Sequence, residues 1–412
     1  MKRLHALFDP IMRFLRPQAN VLYRYIYGQV FRSVTFVMVA FVGLFAFFDL
    51  IAEVDRLSEP NTSWLYYFAS VFLGLPARVY EIAPIAALIG SIYALVQLAA
   101  SSEFTAMRAG GLGTGGMVKI MGRIAVGVAL ITVVFGEVVA PLAETMAVPM
   151  RAKALGFEVE KPYRTGYWLR DAYSSPEGLR VRFVNFSDFY RDGTLQGLEY
   201  YEVDSAGQML AWVKARSAEY LPEQGHWVLK GLKRQSFYQA PPGELAAQAG
   251  LTAQATPIEQ LPDLEWKSSL TPQLLTGLFV RPDRMSAMQL YDYSGFLRSN
   301  LQASDDIDLA LAKKMVYPLA IVVMMLIALS FAYLHFRSGG VSVRVFVGIM
   351  IGVGFHLVNN LFSHLTMVAK LPPGISASLP TLVGLVAGLV ALWWVARPAP
   401  LAVFQRFNHA RH

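Results

Sequence analysis

Six apolar runs frame this chain, and between the third and the fourth lies a long segment in which polar and apolar positions alternate with a period near two. Ser33 to Ile51, SVTFVMVAFVGLFAFFDLI, is nineteen residues, just enough to cross a hydrocarbon core of about 30 Å at 1.5 Å per residue. Ile82 to Ala100 and Met117 to Ala140 give two more spans; Met315 to Phe336, Val345 to Ala369 and Ile375 to Ala396 complete six. Trp64 to Ala77 is apolar but short and ends near Pro76, so it reads as an interfacial lead-in rather than a separate crossing.

From about Pro149 onward the pattern changes. In LRVRFVNF, Leu179 to Phe186, apolar and polar side chains nearly alternate. LQGLEYYEVD, QMLAWVKA and HWVLKGLKRQSF behave likewise, between turn signals at Asp192-Gly193 and Ser205-Ala206-Gly207. The expectation is a water-soluble antiparallel β-domain whose core includes Trp168, Phe183, Phe186, Trp212 and Trp227; a lipid-acyl groove between its sheets is the less favoured reading of those aromatics. Gly243 to Thr256 reads as a loop, and a helical pattern from Arg284 to Lys314 returns to the bilayer. The predicted organisation is a basic leader over 1–32, three spans over 33–148 with a polar loop at 101–116, the β-domain over 149–283, a connecting helix and three spans over 284–396, and a tail over 397–412.

Composition agrees with a membrane protein: 55% of the 412 residues are hydrophobic and only 16% charged. The formal charge of +7 changes little, because the basic residues sit beside apolar runs, where the positive-inside rule accounts for them. No nucleic-acid partner is expected. Lys2, Arg3, Arg13, Arg16, Arg24 and Arg32 face a single acid, Asp9, in a leader that reads either as an interfacial helix or as a frayed tail, and not as a cleavable signal. The short loops on the opposite side hold Arg56, Arg78 and Lys370, which predicts cytoplasmic termini and an external β-domain. The chain has no cysteine, so thiol chemistry is excluded.

Four constellations carry candidate chemistry. The run Gly110 to Gly116 lacks a preceding strand and the G-x-x-x-x-G-K-[ST] pattern, so it reads as a flexible loop and not as a phosphate cradle. The polar turn before it carries Glu103 and Arg108, either simply solvated or part of a short coupling helix that docks on a separate ATPase. His356, Asn360 and His364 recur at i, i+4 and i+8 with Asn359 and Ser363 beside them; the favoured reading is interhelical hydrogen bonding, against a proton relay, a metal site or a headgroup contact. Asp49, Glu137, Arg151 and Lys153 gather at span ends, where each can snorkel and where together they form a mixed-charge collar able to pair with a phosphate.

Six stretches give the chain a family likeness: VLYRYI at Val21 to Ile26, PIAALIGSIYALVQLAASSEFTAMRAGG at Pro84 to Gly111, GEVVAP at Gly136 to Pro141, GYWLRD at Gly166 to Asp171, SLTPQLL at Ser269 to Leu275 and KMVYPLAIVVMMLIALSF at Lys314 to Phe331. On these it resembles the lipopolysaccharide export permeases of Gram-negative bacteria, and looks closer to their G-type subunits. The resemblance implies a fold of six transmembrane helices with an inserted periplasmic antiparallel β-jellyroll-like domain, in the bacterial inner membrane. It implies a non-catalytic subunit that pairs with an F-type permease, two cytoplasmic ABC-type ATPase subunits and a bitopic accessory protein with a β-jellyroll. Lipopolysaccharide would be extracted from the outer leaflet and passed to a periplasmic bridge, with ATP and Mg on the ATPase and no cofactor on this chain. ATPase coupling carries over to Glu103, Phe104, Met107 and Arg108, and headgroup binding to Arg151, Lys153 and Lys314. The first span ends in acids where relatives carry lysines, so the family's phosphate-binding set does not transfer whole. Two other readings stand beside this one: a membrane-embedded metal-dependent hydrolase using His356 and His364, and a non-transporting scaffold for a periplasmic bridge.

Overall fold

The computed structural model describes residues 21–54, 64–154, 166–176, 178–190, 193–238, 254–277, 280–333 and 341–396. The leader up to residue 20, the acidic loop at 55–63 and the tail from 397 lie outside these residues. Two compact units emerge: the described parts of 1–55, 68–146 and 308–412 form one, and those of 56–67 and 147–307 form the other.

The first unit is helical. Helix α1 covers Val21–Val54, α2 Trp64–Ala100, α3 Glu103–Ala109 and α4 Thr114–Val134, which runs through a π turn at Phe135–Val139 into α5, Ala140–Ala154. After the β-domain come α8, Asp305–Tyr333, α9, Val341–Ala369, and α10, Pro373–Ala396. Among the described residues, six helical segments are long and apolar enough to cross a membrane. The first span begins at Val21, ahead of the apolar run at Ser33, and the lead-in at Trp64 to Ala77 is continuous with the second span through Pro76 and Pro84. The predicted glycine loop is partly helix, because Thr114, Gly115 and Gly116 form the first turn of α4.

Small residues set the helix packing. A Cβ on Gly90 would lie 2.5 Å from the Cα of Val34, so α1 and α2 meet backbone to backbone at this glycine. One on Gly348 would strike the Ile92 side chain, and one on Gly388 the Ile327 side chain, which seats α9 on α2 and α10 on α8. The result buries α2 and leaves α1 and α9 on the rim. Ile26, Leu95, Leu98, Met117, Ile124, Met325 and Leu329 share one core that draws on α1, α2, α4 and α8.

The second unit is an antiparallel meander. Strands β1 (Tyr167–Ser175), β2 (Gly178–Phe186), β4 (Thr194–Val203), β5 (Met209–Leu221) and β6 (His226–Tyr238) pair in chain order; β3 (Asp188–Phe189) pairs with β4, and β7 (Gln254–Ala255) and β8 (Glu259–Trp266) pair with β6. The Ser205 turn forms because Asp204 Oδ1 accepts the N–H groups of Ala206 and Gln208, with Gly207 at φ 80°. Phe186 and Trp227 are buried as expected, but Trp168 and Phe183 are exposed, and Trp212 is only half-buried, in register with Tyr201 and Phe183 while its neighbours Ala211 and Val213 are buried; the alternation holds, but these three rings lie off the core face. Trp266 takes their place, with its ring 6.2 Å from Trp227 and 6.0 Å from Tyr200. Gln254 and Ala255 also depart from the expected loop by forming β7. Helices α6 (Pro272–Gly277) and α7 (Ala287–Ser299) follow, the latter started by a Ser286–Gln289 capping box.

Candidate functional site

The coupling turn is built by two backbone devices. Ser102 takes a left-handed conformation at φ 61°, which breaks the helical path at the end of α2, and Gly111 at φ 97° turns the chain out of α3. Between them α3 is a single amphipathic segment. Phe104 is 3% exposed and joins the core shared by α1, α2, α4 and α8, meeting Tyr333 edge-on at 5.1 Å. Met107 packs against the same core. Glu103 is half-buried in the first turn, where an acid suits the helix dipole. Arg108 is exposed and lies with its guanidinium 5.4 Å from the Tyr333 ring centre. The turn therefore has an apolar root and a charged outer face.

A second polar assembly lies inside the apolar stretches of α1, α2, the π turn and α8. Arg78 holds both oxygens of Asp49, at 2.7 and 3.0 Å, and also reaches Glu81 at 2.8 Å. Lys314 is 6% exposed and donates to Gly136 O at 2.9 Å and to Glu137 Oε1 at 3.0 Å. Its ammonium lies 5.5 Å from the Tyr80 ring, which stacks on Tyr317 at 4.3 Å. A Cβ on Gly136 would overlap the Tyr80 ring at 2.3 Å, so only glycine fits there. Two members of the expected collar, Asp49 and Glu137, thus face cations of this chain. Arg151 and Lys153 fall in α5, but their side chains lie outside the described residues. Arg78, Tyr80 and Tyr317 were missed from sequence, although Pro84 and Pro141 downstream mark the places where backbone carbonyls lose their helical donors.

The stripe on α9 points away from the bundle. His356, Asn360 and His364 are exposed, Asn359 is half-buried, and Ser363 spends its hydroxyl on Asn359 O at 2.7 Å. His356 and His364 are eight positions apart, about 12 Å along a helix, too far to share one ion. Among the described residues no three histidine, aspartate or glutamate side chains gather as a metal site.

The β-domain carries its own charged hub. Glu202 accepts from Tyr173 Oη at 2.6 Å, Arg180 at 2.9 Å and Arg182 at 3.3 Å, while the Arg182 guanidinium stacks 3.8 Å over Tyr173. Burial pushes the Glu202 carboxyl up, but these hydrogen bonds and the Arg182 charge outweigh it and hold it below the ordinary carboxylate range. Burial also pushes the Tyr200 phenol up to about 12. Asp171, fully buried, accepts from the Ser269 hydroxyl at 2.8 Å. Asn300 donates to Phe296 O and Ser269 Oγ and accepts the Ala172 N–H, so β1 is tied to the chain after β8 and to the end of α7.

Comparison with known proteins agrees with this architecture. The chain is 28% identical over 378 residues to the lipopolysaccharide export system permease protein LptG of Escherichia coli K12, covering 92% of this chain and 98% of that protein. It is 26% identical over 378 residues to the protein of the same name from Haemophilus influenzae, covering 91% and 98%. The family described as lipopolysaccharide export system permease LptF/LptG matches residues 24–394, nearly all of the chain, and to that family the chain belongs.

Proposed function

We propose that this chain is a G-type permease subunit that moves lipopolysaccharide out of the inner membrane without catalysing a reaction itself. The supporting observation is the α3 turn: a rigid element with Phe104 sunk in a core shared by four helices and with Glu103 and Arg108 toward its outer face. A soluble ATPase that holds Glu103, Met107 and Arg108 moves Phe104, and through it α1, α2, α4 and α8 together, because close-packed interiors transmit displacement. ATP and Mg belong to that partner. The second permease of F type pairs with this chain, and the bitopic accessory protein and the β-domain form the start of a β-jellyroll bridge on the periplasmic side, with both termini in the cytoplasm. Lipopolysaccharide carries phosphates, for which Arg151 and Lys153 are the basic residues in play; Lys314 meets Gly136 O and Glu137 of this chain instead.

The test is purification of the tagged full chain from membranes in mild detergent, followed by mass spectrometry of proteins and lipids. A second six-span permease, an ABC-type ATPase and lipopolysaccharide are expected to co-purify. Recovery of the chain without an ATPase or lipopolysaccharide contradicts the proposal.

A further inference from the structure

Pro84 and Pro141 each interrupt the backbone ladder of a helix, and one neighbouring helix, α8, reaches both places. In α2, Pro84 has no N–H, so Tyr80 O loses the donor that an α-helix would supply. The Tyr317 hydroxyl of α8 lies 2.5 Å from Tyr80 O and 2.8 Å from Glu81 O. In the π turn, the Ala140 N–H reaches back five residues to Phe135 O. The next donor in line would be residue 141, which is proline, so Gly136 O is left without a backbone partner. Lys314 Nζ, one turn before Tyr317 on α8, donates to it at 2.9 Å and pairs with Glu137 beside it. In apolar surroundings an unfilled carbonyl is costly, and side chains of neighbouring helices are what make proline breaks tolerable there.

We infer that Lys314 and Tyr317 are positioning residues of the permease: they latch α8 onto the two carbonyls that Pro84 and Pro141 leave open. The latch holds the outer part of the π-turn helix at a fixed angle to α8, with Tyr80 wedged between them against Gly136. The geometry stands on this chain alone; its use in export rests on the permease reading. A Lys314 that served only a lipid phosphate would not depend on which backbone donors the π turn has.

That dependence is the test. The cysteine-free chain accepts a unique spin-label pair at the exposed positions Leu142→Cys and Leu319→Cys. In the full chain carrying Glu137→Gln, so that no carboxylate is left without its cation, Lys314→Met is expected to add a second, longer distance population, shifting the latched-to-unlatched ratio about tenfold, the order set by one unpaired buried carbonyl. Adding Pro141→Ala, which supplies an N–H for Gly136 O as one more π rung, is expected to restore the single population and most of the lipid release by the assembled exporter. A milder pair, Tyr317→Phe with Pro84→Ala, keeps the ring stack and is expected to show the same loss and rescue, which covers the case of a Lys314→Met chain that does not fold. Distances unchanged by either single substitution, or losses that the added alanines fail to rescue, overturn the latch. Because the distances need no partner and no lipopolysaccharide, they separate failure of the latch from failure of the permease reading.

Discussion

The helical unit is held differently at two places, and the difference bears on how a permease works. Around α3 the contacts are carbon on carbon: Phe104 fits among side chains of four helices and meets Tyr333 edge-on. Around Lys314 they are charges and freed carbonyls: Arg78 with Asp49, Lys314 with Gly136 O and Glu137, Tyr317 with Tyr80 O. Apolar packing is non-directional, and a close-packed core passes strain on to whatever it touches. A directional hydrogen bond to a carbonyl with no alternative donor is either made or broken, and so divides conformations into two sets. One region is suited to receive motion, the other to define end states.

The largest expected effect breaks the apolar side. Phe104→Ala removes a fully packed ring, a change that costs about 3–5 kcal/mol in protein cores, and is expected to lower the thermal midpoint of the chain and to uncouple ATP hydrolysis from lipid release. In the Glu137→Gln chain, Lys314→Met on the polar side is expected to cost less, about 2 kcal/mol, through the unpaired acceptor it leaves, and to be offset by Pro141→Ala where Phe104→Ala is not. If both losses yielded to Pro141→Ala, the two regions would not be distinct.

The β-domain supplies a control with its own charged hub at Glu202. Glu202 is held below the ordinary carboxylate range, so its share of stability is complete above about pH 4.3 and is lost as pH falls through the lowered value. Thermal unfolding of the full chain is expected to show that acid-side loss in the β-domain, and Glu202→Gln to flatten it while leaving α3 and the Lys314 latch unaffected. The smallest effect belongs to Arg108: its side chain is exposed where it lies over the Tyr333 ring, and Arg108→Ala is expected to change stability by no more than about 1 kcal/mol, within reach of a careful thermal titration.

Much of this architecture was legible in the residues because the signals are long. Six apolar runs and a block of period-two alternation survive local exceptions, and the α3 turn stood out because Glu103 and Arg108 interrupt a greasy stretch. What escaped depends on contacts between distant segments. Lys314 reads from sequence as a cation near a span end; that it meets Gly136 O follows from a π turn and a proline 173 positions before it on another helix. Trp168 and Phe183 alternate correctly, but the face that becomes the core is the one that Trp266, far along the chain, packs on beside Trp227 and Tyr200. The α9 stripe was expected to bond to neighbouring helices, whereas His356, Asn360 and His364 are exposed here; polarity at i, i+4 and i+8 marks a face, not what covers it.

The coupling proposal makes α3 the place where force enters. Its most direct test is Glu103→Ala in the exporter reconstituted in proteoliposomes, with ATPase binding and ATP-driven lipopolysaccharide release measured on the same sample. Glu103 is half-buried at the start of α3 and outside the Phe104 core, so the fold is expected to hold while release, ATPase binding or both fall sharply. Unchanged binding together with unchanged release would contradict the coupling role of the turn.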